Sequence, residues 1–120
     1  HQPNGRGNAN AGYPPLVNSE WVLNESPSRA IAIVAKGLQG PIEVAGQVYD
    51  KVAMPSQGAA LSDEDIANVI SYIRRNGDWG DAHSLPLVTL EQVKAVRETI
   101  ADRSAPWTAD ELVQQFPDSQ

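Results

Sequence analysis

Leu61-Ser62-Asp63-Glu64-Asp65-Ile66-Ala67-Asn68-Val69-Ile70-Ser71-Tyr72-Ile73-Arg74 is the stretch from which the rest of the chain can be read. Ser62 and Asp65 have the spacing of a capping box, with Asp in place of the usual Glu. Ile66, Val69, Ile70 and Ile73 then recur at helical spacing until Asn76-Gly77 ends the pattern. Asp63, Glu64 and Asp65 look like carboxylates for acid–base chemistry. They fall in a helix's first turn, where the macrodipole favours negative charge, so their structural explanation comes first.

Just upstream lies Val52-Ala53-Met54-Pro55-Ser56, which holds the chain's one methionine. A residue before proline is pushed toward extended backbone, so Met54 belongs in a loop. From a loop its thioether can point into a cavity, as a metal-binding methionine does. The competing reading is a methionine that fills a gap in the core.

Elsewhere the elements are short. Residues 1–12 are polar and glycine-rich and read as loop, and Tyr13-Pro14-Pro15-Leu16 reads as extended. Ser19-Glu20-Trp21-Val22 predicts a short helical turn. Ser26-Pro27 predicts an N-cap followed by proline at the first helical position, with Ile31, Val34 and Ala35 on one face and Gly37 as the stop. Ile42-Glu43-Val44 and Gln47-Val48-Tyr49 alternate around Ala45-Gly46, a small β-hairpin that must pack on something to persist. Thr89 with Gln92 caps a helix bearing Val93, Val96 and Ile100, and Thr108 with Glu111 caps a shorter one. The fold class is mainly α with one small β-hairpin.

The chain has 120 residues, suited to one domain with one modest core. Nine Lys and Arg stand against 15 Asp and Glu, which argues against nucleic acid and favours a basic partner. Few residues are aromatic, so a buried cofactor could supply bulk that the side chains do not. No run is long and apolar enough for a membrane span, and the start has no signal-peptide pattern, so a soluble chain is expected. Cysteine is absent. That removes disulfides, thiolate catalysis, thiolate metal sites and thioether attachment of a heme within these residues.

Taken together, Pro14-Pro15-Leu16, Ser19-Glu20-Trp21-Val22, Ala35-Lys36-Gly37-Leu38-Gln39-Gly40-Pro41-Ile42, Gly46, Met54-Pro55 and Leu61–Arg74 resemble a bacterial class I monoheme cytochrome c domain. The likeness spans about residues 1–80. Residues 81–120, through Pro106-Trp107-Thr108, look like the helical extension of cytochrome domains that accompany periplasmic dehydrogenases or respiratory complexes, and are expected to pack on the same domain. In that family a Cys-x-x-Cys-His motif carries the heme. His1-Gln2-Pro3-Asn4-Gly5-Arg6-Gly7 matches it from the histidine onward, without the two cysteines or the family's first helix. The expectation is that the heme-bearing peptide lies elsewhere. With the first helix missing, the 120 residues are expected to fold poorly alone.

The resemblance implies one heme c with its iron, His1 and Met54 as axial ligands, and electron transfer rather than catalysis, since no open iron position remains for a substrate. The second ring nitrogen of His1 would donate to the carbonyl of Pro14 or Pro15. Trp21 and Tyr49 would bond heme propionates or line the pocket, and Arg29 would place a cation near a propionate. Leu16, Leu38, Val52 and Ile70 would form pocket walls. Redox proteins are the implied partners, among them a dehydrogenase or respiratory complex, in the periplasm.

Two other readings remain. A heme-free interaction module would keep the scaffold, as the missing cysteines suggest. A copper oxidoreductase would chelate the metal with the amino group and imidazole of His1, with His83 as a further ligand. His83 itself is expected at the surface, and Gly5-x-Gly7 lacks the strand and helix of a nucleotide loop.

Overall fold

The computed structural model describes residues 1, 4–51 and 53–117, so Val52 lies outside the described residues. In chain order the elements are α1 (Ser28–Lys36), β1 (Ile42–Val44), β2 (Gln47–Tyr49), α2 (Asp63–Arg75), a 3-10 turn at Gly77–Trp79, α3 (Leu90–Thr99) and α4 (Ala109–Gln115). The architecture is mainly helical with one antiparallel hairpin, as expected.

The three predicted capping boxes all form, at Ser62 with Asp65, Thr89 with Gln92 and Thr108 with Glu111. In each, the hydroxyl accepts from the third helical N–H while that residue's side chain accepts from the cap N–H, so two otherwise orphaned donors are satisfied. The start of α1 differs by one residue. Pro27 is the N-cap, and Ser26 accepts the Ser28 N–H through Oγ at 3.3 Å. The segment expected to form a helical turn at Ser19–Val22 is a turn closed by Val22 and Leu23 N–H on the Ser19 carbonyl.

Hairpin register pairs Ile42 with Tyr49 and Val44 with Gln47. Ala45 and Gly46 both have positive φ, 51° and 84°, the geometry a two-residue hairpin needs to match strand twist. Its support comes from the segment before α1. The Trp21 indole N–H donates to the Glu43 carbonyl at 2.9 Å, and the Ala45 N–H donates to Glu20 Oε1 at 2.8 Å.

One apolar cluster joins α1, α2 and α3 with Trp107 and Leu112, and Ile31, Ile66, Ile70, Val93 and Leu112 are fully buried in it. Burial of each such aliphatic is worth roughly 1.5–3 kcal/mol. Ile66 and Ile70 are covered within these 120 residues, while Val69 stays 42% exposed. Among the described residues no helix is long and apolar enough to cross a membrane.

Candidate functional site

An apolar hollow beside α1 follows from the composition of that helix. Ala30-Ile31-Ala32-Ile33-Val34-Ala35 is apolar almost all round, so this helix is buried on two sides. Ile31, Ala32 and Ala35 face the core, whereas Ile33 and Val34 face a cavity of about 410 Å³. Its opposite walls are Pro14, Pro15, Leu16 and Trp21, the hairpin residues Ile42, Val44 and Tyr49, and Leu38 with the Ala53–Pro55 loop.

His1 and Met54 both line this cavity. His1 Nδ1 lies 2.7 Å from the Pro14 carbonyl oxygen. A carbonyl can only accept, so Nδ1 carries a proton, and in the neutral ring Nε2 keeps its lone pair. Of the two prolines offered by the sequence, Pro14 is the partner.

Met54 sits on a loop fixed from three directions. Its backbone pairs with Leu38 in an isolated antiparallel bridge, and Leu38 also bridges Trp107 in parallel. The second bridge is made by Gln39 N–H on the Trp107 carbonyl and Trp107 N–H on the Gly37 carbonyl, at 2.8 and 2.9 Å. Beyond Met54, Ser56 Oγ donates to the Ala35 carbonyl at 2.6 Å and Gln57 N–H to that of Val34 at 2.9 Å. Gly37 is required at the crossing. Its φ is 89°, and a Cβ there would stand 2.6 Å from the Met54 carbonyl oxygen.

The remaining expected site residues divide. Pro14, Pro15, Leu16, Trp21, Leu38 and Tyr49 line the cavity. The Trp21 indole N–H is engaged by Glu43, so this residue meets the hollow as an apolar ring. Ile70 lies in the core, away from the lining. Arg29 is buried, donates from Nε to the Phe116 carbonyl at 2.7 Å and sits over the Trp21 ring at 5.4 Å.

His83 is not at the surface. It is 1% exposed, with Nδ1 2.7 Å from the Ile73 carbonyl and Nε2 accepting the Asn18 N–H at 3.0 Å. Both nitrogens are committed, which leaves no lone pair for copper. Among the described residues no group of three His, Asp or Glu side chains could hold a metal.

Arg74, 2% exposed, closes the other end of the same segment. Its guanidinium donates to the carbonyls of Val22, Asn24 and Glu25 at 3.1, 2.6 and 3.1 Å. Burial lowers its pKa from the ordinary arginine value, and its Nε–H has no partner among the described residues.

A family model described as cytochrome c matches residues 1–77. Cytochrome c-552 of Thermus thermophilus is 39% identical over 103 residues, covering 81% of this chain and 75% of that protein. The cytochrome c subunit of a quinone alcohol dehydrogenase from Gluconacetobacter polyoxogenes is 31% identical over 105 residues, covering 88% of this chain and 21% of the subunit. The corresponding Gluconobacter oxydans subunit is 30% identical over 108 residues. This chain thus spans about a fifth of the length of the alcohol dehydrogenase subunits it matches.

The chain belongs to the cytochrome c family. Its cofactor is heme c with its iron, and its function is heme-based electron transfer. The apolar cavity, bounded by one imidazole with a free lone pair and one thioether, fits such a group. The 120 residues hold no cysteine for its thioether bonds.

Proposed function

We propose that the chain transfers single electrons on a heme whose iron would be held by His1 Nε2 and Met54 Sδ. The observation that carries this is their convergence on one apolar cavity, with His1 Nδ1 held by the Pro14 carbonyl. When bound, heme c supplies a one-electron couple whose potential is raised by His/Met ligation. The Pro14 carbonyl fixes the His1 tautomer and its basicity. Pro14, Pro15, Leu16, Trp21 and Leu38 exclude water, and Tyr49 offers a hydroxyl at the wall. With His1 and Met54 both holding the iron, the protein would leave no substrate position on the metal.

The setting we infer is extracytoplasmic, in the periplasm. The chain acts there as a carrier or as a unit of a dehydrogenase or respiratory complex. Similarity to dehydrogenase cytochrome subunits supports the second role. Thioether attachment would draw on cysteines outside these 120 residues.

Absorption and intact mass of the protein from its native source test this reading. Red material with c-type bands and a mass that includes heme is the expected result. A colourless protein with the polypeptide mass alone would overturn heme binding.

A further inference from the structure

His83 lies beyond the residues matched by the family model and does not line the cavity, yet it is among the most buried side chains. Its partners define one tautomer. The Ile73 carbonyl accepts, so Nδ1 is protonated, and the Asn18 N–H donates, so Nε2 is bare. The ring thereby ties the C-terminal turn of α2 to the segment before α1.

That segment leads to His1. Asn18 is held at φ 56°, in the left-handed region that a non-glycine residue enters only at a cost. Immediately before it, Leu16 and Val17 N–H both donate to the Gly5 carbonyl, at 2.6 and 2.9 Å. Gly5 packs so closely on Trp79 that a Cβ would come within 2.6 Å of the indole, and Trp79 in turn meets the His83 ring edge-on at 5.5 Å. Gly7 N–H donates to the His1 carbonyl at 2.9 Å, and Pro14 accepts from the His1 ring. These two contacts of His1 therefore come from backbone that is anchored, a few residues away, on His83 and Trp79.

We propose that His83 is a positioning residue for His1. By fixing Asn18 it sets where the turn after Pro14 lies, and so how firmly the Pro14 carbonyl holds the His1 ring. The proposal rests on ligation by His1. A looser Nδ1–H···O=C bond makes the imidazole a less basic ligand, which disfavours oxidised iron and raises the potential.

The test compares the native holo-protein with His83→Phe and His83→Gln, reading the reduction potential, the paramagnetically shifted proton resonances of the axial imidazole and the denaturation midpoint. Phenylalanine leaves the Ile73 carbonyl and Asn18 N–H without partners, whereas the glutamine amide offers one donor and one acceptor. The expected result is a positive potential shift and displaced imidazole resonances in H83F, with both returned toward wild type in H83Q. A lowered midpoint in H83F with wild-type potential and resonances would make His83 a packing residue and overturn the proposal, as would an H83Q that shifts as far as H83F. Should H83F not retain heme, His83→Asn decides. Its shorter amide reaches one partner, so a smaller positive shift is expected and an unchanged potential overturns. Wild-type spectra without axial-imidazole resonances would overturn His1 ligation itself, a different failure from wild-type resonances that H83F leaves in place.

Discussion

Leu38 and Met54 exchange both backbone hydrogen bonds: the Leu38 N–H donates to the Met54 carbonyl at 2.9 Å and the Met54 N–H to the Leu38 carbonyl at 2.8 Å. The thioether is therefore carried on backbone whose position does not depend on the side chain.

Met54→Ala should accordingly leave the loop in place and remove the soft ligand. The expected outcome is a lower reduction potential and an iron open to water or added cyanide. Spectra should lose the weak sulfur-to-iron band at the red edge of the visible range. If band and potential both persist, Met54 is not the ligand.

Gly37→Ala reaches the same loop from behind. At φ 89° and ψ 175° the backbone is in a region that essentially only glycine adopts, where an L-residue costs about 1–3 kcal/mol, and the new methyl meets the Met54 carbonyl oxygen and the Ser56 nitrogen, at 2.6 and 2.9 Å. Heme should be retained while the sulfur-to-iron band weakens and the thermal midpoint falls. A full-strength band would show that the loop yields without moving the sulfur.

How much of this was legible depends on how local each signal is. The capping boxes at Ser62, Thr89 and Thr108 sit within four residues of sequence and all form as read. The Ile31, Val34, Ala35 face does not by itself mark Ile33 and Val34 as cavity walls, although six successive apolar residues, Ala30 to Ala35, signal burial on two sides. His83 could not be placed from its neighbours, because its partner Asn18 lies 65 residues away and its other bond is to a main-chain carbonyl. For the same reason nothing local to Trp21 or Arg29 announced their bonds to the Glu43 and Phe116 carbonyls.

Glu111 gives the C-terminal unit a defined acid response. Arg103 donates to both its carboxylate oxygens, at 2.7 and 3.0 Å, and the Thr108 N–H adds a third bond. These interactions, the Arg103 bonds first, lower its pKa from 4.5 to about 2. Because the folded-state value is depressed, the stabilisation is present above pH 4.5 and is lost as pH falls toward 2. In a pH series of denaturation midpoints, Glu111→Gln should be less stable than wild type near neutrality, with the difference closing through that window. A difference that stays constant down to pH 2 would rule out this linkage.

Trp107 anchors that unit to α1. It is 4% exposed, donates from the indole to the Ala32 carbonyl at 3.1 Å, and lies under the Arg103 guanidinium at 3.9 Å. Trp107→Ala should cost about 3–5 kcal/mol, and Trp107→Phe, which keeps most of the volume, distinctly less. Urea titrations of the holo-protein measure both, and equal losses would mean that packing volume is not what Trp107 contributes.

The pairing of Gly37–Gln39 with Met54 on one edge and Trp107 on the other has a consequence in time. During synthesis, Leu38 and Met54 emerge close together and can meet early, but the second edge stays open until chain from well beyond α3 has been made. Contacts between such distant segments close late, because the entropy of the intervening loop is lost before they form. The sulfur loop should thus be among the last regions to become rigid, when Trp107 arrives to lock the strand beside it.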